Sequence, residues 1–300
     1  MAWFSWQQAK QLDPSLNALD GFFSEPPVKV QTVTGGLTNR CWRLESSQGL
    51  AYVWRPTSNV CKAFSISRHN EYQVLHAIEP LNLGPKPIFV HEQGLLVEWI
   101  DGITLTKDGI ELEELLPIAA TIHQYHSSSI PVVPFSYISR IDHYWLELEG
   151  KYVGSEFETL YKQWRSEPSV EQIPLALCHF DLGCYNLVRG EQGVKVIDWE
   201  YASLADPRLD LTLILQITDS PIEESVERYC QIRNIENTSV WLEGVKAWQP
   251  RTLVMAMLWY LLAYKLWGDE QYLNSAQEFK DLLCLEDHCF ENSLRFPLYQ

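Results

Sequence analysis

The sequence predicts an α+β protein in which a small lobe built on an antiparallel sheet precedes a larger, mainly helical lobe. Residues 28–36 and 41–56 carry strand-like runs with Gly-containing turns between them. Beyond residue 102 most segments have the period or the length of helices. This change of pattern divides the chain into an N-terminal lobe, residues 1–98, and a C-terminal lobe, residues 99–300.

The rest of the N-terminal lobe is predicted to hold one helix and one hairpin. Residues 65–78 predict an amphipathic helix, with one side formed by Ile66, Tyr72, Leu75 and Ile78. Residues 86–102 indicate two strands joined by a turn at Glu92-Gln93-Gly94.

The C-terminal lobe is predicted to be mainly helical. Four segments have helical period or length: residues 111–128, 139–153, 220–234 and 251–267. The main exception is LVRGEQGVKVIDWE, residues 187–200, which predicts two short strands around residues 190–193.

Composition and charge argue against some classes of function and location. A formal net charge of −16 argues against nucleic acid as a partner, because phosphate binding needs a surplus of Lys and Arg. The apolar run at residues 252–264 is shorter than the roughly 20 residues that a membrane span requires. Seven scattered cysteines without a CxxC motif, and a start without a secretory signal pattern, lead us to expect free thiols and a cytoplasmic protein.

Two features of the N-terminal lobe could contact phosphate. In TGGLTN, Gly35 and Gly36 would let backbone N–H groups approach phosphate oxygens, although a simple hairpin turn has the same composition. Arg55, at the end of YVWRP, and Glu71, in the following helix, match in order the strand cation and helix acid of kinases. Taken singly, each is as readily a surface residue.

The stretch CHFDLGCYN and the segment VIDWE supply candidate catalytic and metal-binding groups. Asp181 would orient and deprotonate an acceptor hydroxyl, and Asn186, five residues later, would be a metal ligand. Asp198 and Glu200 follow a short apolar strand and would point to the same side of an extended backbone, as oxygen ligands for Mg²⁺.

A zinc site is the alternative interpretation of CHFDLGCYN. Cys178, His179 and Cys184 offer three ligands, but a structural zinc site needs four, and no second Cys/His pair lies at a familiar spacing. Buried free cysteines that pack beside the loop are therefore favoured.

Considered together, GGLTN, the strand arginine, HFDLGCYN and IDWEYA resemble the choline kinase and aminoglycoside phosphotransferase superfamily, from about residue 30 to residue 270. The first and last motifs are closer to the choline and thiamine kinase branch. Residues 248–273 are similar to the C-terminal helices of bacterial thiamine kinase. The resemblance implies a protein-kinase-like bilobal fold and an enzyme that phosphorylates small-molecule hydroxyls with ATP and Mg²⁺.

The resemblance also implies roles for individual residues. Asp181 is then the catalytic base, Asn186 and Asp198 are Mg²⁺ ligands, and His179 and Asp210 are structural residues of the catalytic loop, with Asp210 bracing it. The implied nucleotide-binding residues, which include an interlobe hinge at residues 98–100, are Gly35, Gly36, Asn39, Arg55, Glu71, Glu98, Trp99 and Ile100. Arg55 departs from the lysine of the antibiotic kinases, and Cys184 and Tyr185 are bulkier than the small residues usual before the Asn.

Aromatic residues near the end of the chain raise the question of the substrate. Trp259, Tyr264 and Trp267 cluster on one side of a predicted helix, which is typical of core packing or of an aromatic wall for a cation. Asp101 and Glu200 could add attraction for that cation. We expect a small cationic substrate with a hydroxyl group, thiamine by resemblance. Choline or ethanolamine, an aminoglycoside, and a non-catalytic kinase-fold binding module are the alternatives; the complete acid set argues against the last.

Overall fold

The computed structural model describes residues 3–33, 41–106, 112–125, 130–149 and 154–286. The chain forms two compact units. The first comprises Met1–Leu105 and Tyr185–Tyr201, and the second comprises Thr106–Cys184 and Ala202–Gln300.

The first unit is built on a six-stranded sheet whose neighbouring strands are all antiparallel, in the order β1-β2-β3-β4-β6-β5. The strands are β1 (Trp3–Phe4), β2 (Lys29–Thr32), β3 (Trp42–Glu45), β4 (Ala51–Pro56), β5 (Pro87–His91) and β6 (Gly94–Glu98). The predicted strands and the turn before Gly94 are confirmed.

One face of this sheet is covered by the N-terminal segment of the chain. Helix α1 (Trp6–Leu12) and the 3₁₀ turn Pro14–Leu19 pack against Trp42 and Trp54, both of which are buried. The two indole N–H groups donate to residues of this segment: Trp42 to Asp13 Oδ2 at 2.8 Å and Trp54 to Ser15 Oγ at 2.9 Å. Alternation along the strands leaves the opposite face to Arg43 and Arg55.

Helices α2 (Asn59–Ala63) and α3 (Arg68–Ile78) follow the fourth strand. Ser67 caps α3 by accepting a hydrogen bond from the N–H of Asn70. The helix buries Val74, Leu75 and Ile78, and it also buries two charged residues of its first turn, Arg68 and Glu71. The amphipathic helix predicted at residues 65–78 is confirmed, with a start three residues later.

A second sheet in the first unit joins distant parts of the chain. It contains β7 (Ile103–Thr104), β9 (Leu187–Gly190) and β10 (Gly193–Val196) in the order β10-β9-β7. The predicted hairpin of residues 187–200 is present as β9 and β10. Because β9 pairs with β7, residues 185–201 belong to the first unit, although the sequence-based boundary assigned them to the C-terminal lobe. The functional division at residues 1–98 and 99–300 stays a prediction.

The second unit is mainly helical. Its helices are α4 (Leu112–Ile122), α5 (Tyr137–Leu148), α6 (Ser155–Gln163), α7 (Pro207–Thr218), α8 (Ile222–Arg233), α9 (Thr238–Trp267) and α10 (Glu270–Glu286). A short antiparallel pair, β8 (Ala176–Cys178) and β11 (Ser203–Ala205), accompanies them. The α+β class, with a sheet-rich first part and a larger helical part, is confirmed.

Helix α9 forms the centre of the second unit and is longer than the sequence predicts. Its buried face includes Leu253, Met257 and Leu261. The predicted start at residue 251 is wrong, because the helix begins at Thr238 and continues through Pro250. No helix within the described parts of the chain is both long enough and apolar enough to cross a membrane.

Candidate active site

In the first unit, the predicted phosphate-binding pair lies at the junction of strand and helix. Arg55, near the end of β4, forms an ion pair with Glu71 in the first turn of α3, with 2.9 Å between Nε and Oε1. Its Nη2 atom lies against Asp198 and is 3.0 Å from Oε2 of Glu200. The structure therefore brings three of the predicted site residues to the guanidinium group of a fourth, Arg55.

A second arginine that sequence analysis missed belongs to the same cluster. Arg68 has only 2% of its side chain exposed, and its Nη1 atom is 2.5 Å from Glu71 and 3.1 Å from Glu200. Burial of a charged side chain is rare unless it is paired. The available signal was its position three residues before Glu71, which puts the two on the same face of α3.

A backbone hydrogen bond connects the segments that carry Asn186 and Asp198. The N–H of Ile197, the residue before Asp198, donates to the carbonyl of Asn186 at 2.8 Å. Asp198 has a φ of 64°, a left-handed conformation that is uncommon outside glycine and frequent at functional sites. Amide and carboxylate oxygens are the donors that a hard divalent cation requires. The donor set of Asn186 and Asp198 therefore fits such a metal.

The prediction that residues 198–200 have an extended backbone is wrong. Strand β10 ends at Val196, and the positive φ of Asp198 turns the chain. Asp198 and Glu200 nevertheless face the same group, Arg55, because of this turn and without strand alternation. Burial, and then the nearby charge of Asp198, raise the pKa of the Glu200 carboxyl, while the two arginines oppose that rise. The roles of Glu200 as metal ligand and substrate contact stay predictions.

The predicted hinge, residues 98–100, begins at the last residue of β6. The N–H of Glu98 donates to the carbonyl of Lys86 at 2.9 Å, and the N–H of Trp99 donates to the carbonyl of Ala51 at 3.0 Å. These two residues can therefore offer a base only their carbonyl groups, so Ile100 is the candidate donor of the three.

The side chain of Trp99 is held in place by two neighbours. The guanidinium of Arg43 lies 4.3 Å from the centre of the indole ring, and the indole N–H donates to Asp101 Oδ1 at 2.8 Å. Asp101, predicted to contact the substrate, thus accepts a hydrogen bond from Trp99 in this structure.

The predicted phosphate loop lies outside the described residues. Gly35, Gly36 and Asn39 fall within residues 34–40. On either side of this segment, the N–H of Val33 donates to the carbonyl of Cys41 at 2.8 Å.

In the second unit, the loop after β8 carries His179 and Asp181 and is held by Asp210 of α7. The Asp210 carboxylate accepts the N–H of His179 at 2.9 Å and that of Phe180 at 2.7 Å. Phe180 has a φ of 68°, so, like Asp198 in the first unit, it has a left-handed backbone conformation. The N–H of Asp181 is 3.3 Å from Nδ1 of the fully buried His179. The structural roles that the resemblance implies for His179 and Asp210 stay predictions, and these contacts are the kind that such roles require.

Two further residues that sequence analysis missed extend this arrangement. Nε2 of His123, on the segment after α4, is 2.9 Å from Oδ2 of Asp210, and its Nδ1 is 2.7 Å from the hydroxyl of Tyr229 in α8. Burial alone would raise the pKa of Asp210, but hydrogen bonds from His123 and from the backbone of His179 lower it overall. No local pattern links these positions, which are far apart in the sequence.

His123, Cys178 and Asp210 are the potential metal ligands that cluster within the described residues, and Cys178, His179 and Cys184 do not form such a group there. Both ring nitrogens of His123 and both oxygens of Asp210 already take part in hydrogen bonds. Burial also raises the pKa of the Cys178 thiol well above its usual range. A buried hydrogen-bond network explains the cluster better than a metal site does.

Helices α9 and α10 carry a half-buried aromatic cluster, which we define as Trp259, Tyr260, Trp267 and Tyr272. The ring centres of Trp259 and Tyr260 are 5.1 Å apart, and those of Trp267 and Tyr272 are 5.2 Å apart. Tyr272 connects both pairs, and its position on the next helix explains why sequence analysis missed it. Of the predicted substrate residues, Trp259 and Trp267 belong to this cluster.

Tyr264 lies beside an acid. Its hydroxyl donates to Oε1 of Glu270 at 3.1 Å. The C-terminal end of α9 and the start of α10 therefore combine aromatic faces with a carboxylate, the two features that attract an organic cation.

The family model for choline/ethanolamine kinase matches residues 30–233, which is more than half of the chain. The chain belongs to the choline/ethanolamine kinase family. The matched segment contains Arg55, Glu71 and Asp181, as well as Asn186 and Asp198.

Known proteins agree with membership of the choline/ethanolamine kinase family. The chain is 22% identical to the thiamine kinase of Shigella boydii over 249 residues, which are 83% of this chain and 88% of that protein. The structure of choline kinase LicA from Streptococcus pneumoniae matches with a TM-score of 0.73 at 20% identity, covering 93% of this chain and 99% of LicA. A structure of LicA in complex with AMP matches with a TM-score of 0.69 at 22% identity, covering 90% and 96%.

Membership of the choline/ethanolamine kinase family makes the protein a phosphotransferase that acts on a hydroxyl group of a small molecule. The fold is the protein-kinase-like fold that the sequence predicts. The family also implies a nucleotide and a divalent metal, and the donor atoms of Asn186 and Asp198 suit the metal.

Proposed function

We propose that the protein is an ATP- and Mg²⁺-dependent kinase that phosphorylates the primary hydroxyl of thiamine. The observation that carries the choice of a cationic substrate is the half-buried aromatic cluster of α9 and α10 with Glu270 beside Tyr264. The thiazolium ring is a permanent cation, and each aromatic face in contact with it would contribute about 0.5–2 kcal/mol. Similarity to a thiamine kinase across most of both chains supports thiamine in particular.

Each residue of the proposed site has one task. Asn186 and Asp198 would hold the metal, and Arg55, oriented by Glu71, would neutralise phosphate oxygens. The N–H of Ile100 would donate to the adenine base. Bound ATP with Mg²⁺ supplies the transferable phosphoryl group.

Asp181 would act on the acceptor. The substrate hydroxyl oxygen forms a bond to the γ-phosphorus, the bond between that phosphorus and the β–γ bridging oxygen breaks, and the hydroxyl proton passes to the Asp181 carboxylate. ADP leaves with the electron pair. Asp210 keeps the loop of Asp181 in place through two backbone hydrogen bonds.

Choline or ethanolamine is the second candidate substrate. The match to the choline/ethanolamine kinase family and the similarity to choline kinase LicA favour it. Choline presents the same combination of a primary hydroxyl and a permanent positive charge, so the aromatic cluster alone does not separate the two.

A cytoplasmic location, where ATP is available and thiols stay reduced, fits the free cysteines of the described chain and is part of this proposal.

The deciding experiment is an ADP-release assay with thiamine, choline, ethanolamine and kanamycin as acceptors. We expect turnover of thiamine with the highest kcat/KM of the four. Turnover of choline or ethanolamine without thiamine would overturn the substrate, and turnover of kanamycin alone would indicate an antibiotic-modifying enzyme. Lack of turnover with all four would count against the proposed activity.

Two variants and one analogue sharpen this experiment. Asp181→Asn should abolish turnover while ATP binding, measured by calorimetry, is retained. Trp259→Ala should raise KM for thiamine while KM for ATP stays unchanged. A neutral analogue with carbon in place of the thiazolium nitrogen should lose affinity on the order of 2- to 30-fold in the wild type. Equal binding of the charged and neutral forms would show that the aromatic cluster does not recognise a cation.

A further inference from the structure

Four buried side chains of the first unit form a closed circuit of ion pairs, which we call the arginine–glutamate ring. Around the ring, Arg55 Nε is 2.9 Å from Glu71, Glu71 is 2.5 Å from Arg68 Nη1, Arg68 is 3.1 Å from Glu200, and Glu200 is 3.0 Å from Arg55 Nη2. The exposed fractions of these side chains lie between 2% and 11%. Each acid is shared by both arginines, so the ring pairs two cations with two anions.

The ring joins three separate segments of the first unit. Arg55 is on β4, Arg68 and Glu71 are in the first turn of α3, and Glu200 follows β10. Arg68 also donates from Nε to the carbonyl of Pro56 at 3.4 Å, which ties it to the residue directly after Arg55. Arg68 therefore fixes both the acids that Arg55 contacts and the strand end that carries Arg55.

The charge balance shows what Arg68 adds. Arg55 contacts three carboxylates, Glu71, Asp198 and Glu200. Without Arg68, these three acids would surround one cation, and the surplus of negative charge would oppose a polyphosphate. With Arg68 present, Glu71 and Glu200 are neutralised within the ring, and the remaining acid is Asp198, whose charge a bound metal would offset.

We propose that Arg68 is a positioning residue for the nucleotide: it pairs with Glu71 and Glu200 as the counter-ion of both, so that these two carboxylates do not repel the nucleotide phosphates that Arg55 contacts. This inference rests on the proposed function, because it takes the nucleotide as the ligand of Arg55. It assigns Glu200 to the ring as a counter-ion in place of the predicted metal ligation.

The planar guanidinium group explains why an arginine stands at this position. Arg68 contacts two carboxylates through Nη1 and a backbone carbonyl through Nε. A lysine could approach the carboxylates with its single ammonium group, but it could not also keep the carbonyl contact. Lysine should therefore restore the charge balance and only part of the geometry.

The test uses four variants of the full chain: Arg68→Gln, Arg68→Lys, the double variant Arg68→Gln/Glu200→Gln, and Arg165→Gln as a matched control. Arg165 pairs with Asp142 in the second unit and has half of its side chain exposed. For each variant we would measure Kd for ATP with Mg²⁺ by calorimetry, KM for ATP and for the hydroxyl acceptor, and the melting temperature.

We expect Arg68→Gln to weaken ATP binding by roughly tenfold or more and to raise KM for ATP, with KM for the acceptor unchanged. Arg68→Lys should recover most of the lost affinity. The double variant should bind ATP more tightly than Arg68→Gln, because removing the Glu200 charge restores the balance. Arg165→Gln should bind ATP as the wild type does.

Three outcomes would overturn the inference. A change in melting temperature alone, with Kd and KM for ATP unaltered in Arg68→Gln, would make the ring purely structural. Weaker ATP binding in the double variant than in Arg68→Gln would assign Glu200 to the metal. If Arg68→Gln does not fold, failure of Arg68→Lys to bind ATP better than the double variant would contradict the geometric part.

The proposed function fails in a distinguishable way. ATP binding is measured without an acceptor, so a wrong acceptor leaves the test of Arg68 intact. A wild type that binds no ATP would overturn the proposed function and this inference together.

Discussion

Replacing Asp210 with asparagine tests how the loop that carries Asp181 is held. One oxygen of the buried carboxylate accepts a hydrogen bond from the N–H of Phe180. The other oxygen accepts one from the N–H of His179 and is also hydrogen-bonded to the His123 ring. An amide has one acceptor oxygen, so its NH₂ group must face a donor whichever way it is turned. The least costly orientation keeps the oxygen towards His179 and His123 and leaves the N–H of Phe180 without an acceptor.

The size of the effect follows from these contacts. A buried N–H without a partner costs about 1–3 kcal/mol, and the two remaining bonds lose the strength that a charged acceptor gives them. We therefore expect Asp210→Asn to lower the free energy of unfolding by about 2–4 kcal/mol. Because Phe180 precedes Asp181, we also expect kcat to fall roughly tenfold or more.

The assay is urea unfolding followed by tryptophan fluorescence, with the free-energy change taken from the shift in midpoint. Asp142→Asn is the matched control, since Asp142 also accepts hydrogen bonds, from Arg165 at 2.7 Å and from Tyr161 at 2.8 Å, but at a more exposed site. The control should cost less than about 1 kcal/mol. A loss for Asp210→Asn no larger than that of the control would refute the argument from buried donors.

Three further predictions concern the pH dependence of Asp210, the packing of Gly244 and the reactivity of Cys41. The pKa of Asp210 is lowered in the fold, so its stabilising effect is present above the ordinary aspartate pKa of about 4 and is lost as the pH falls through the folded value. The difference in the free energy of unfolding between wild type and Asp210→Asn should therefore shrink from pH 7 to pH 3.5 in urea titrations. A constant difference would contradict this prediction. Gly244→Ala should destabilise the protein by about 1–3 kcal/mol although alanine favours helices, because the new Cβ would overlap the buried Arg208 side chain; a raised melting temperature would disprove the overlap. Burial raises the pKa of Cys41 to about 11, so its iodoacetamide labelling at pH 8, read by peptide mass spectrometry, should be much slower than that of exposed Cys284, and equal rates would argue against it.

Local patterns predicted the parts of the fold that depend on neighbouring residues. The strands that contain Trp42 and Trp54 alternate between the two faces of the sheet, and the hairpin of β9 and β10 is marked by Gly190 and Gly193. Helix α1, which sequence analysis did not predict, does carry a local signal, because Ser5 and Gln8 form a capping box.

The parts that sequence analysis missed depend on contacts between distant residues. His123 meets Asp210 and Tyr229 across about a hundred residues of chain, and no periodic pattern records such a pairing. The start of α9 was predicted at residue 251 from the local helical pattern, whereas the helix begins at Thr238, because tertiary packing decides how far a helix extends. The site residues that share one guanidinium group, by contrast, were predicted from their order along the chain.

The pairing of β7 with β9 has a consequence for biosynthesis. Ile103 is synthesised long before its partner Arg189, and the three-stranded sheet of the first unit needs both. The ribosome must therefore complete all of the second unit's first segment, residues 106–184, before the first unit can close. Because closure of so long a loop is slow, we expect the growing chain to remain a target for proteases until residue 201 has emerged. A chain truncated at residue 105, which lacks β9 and β10, should remain such a target.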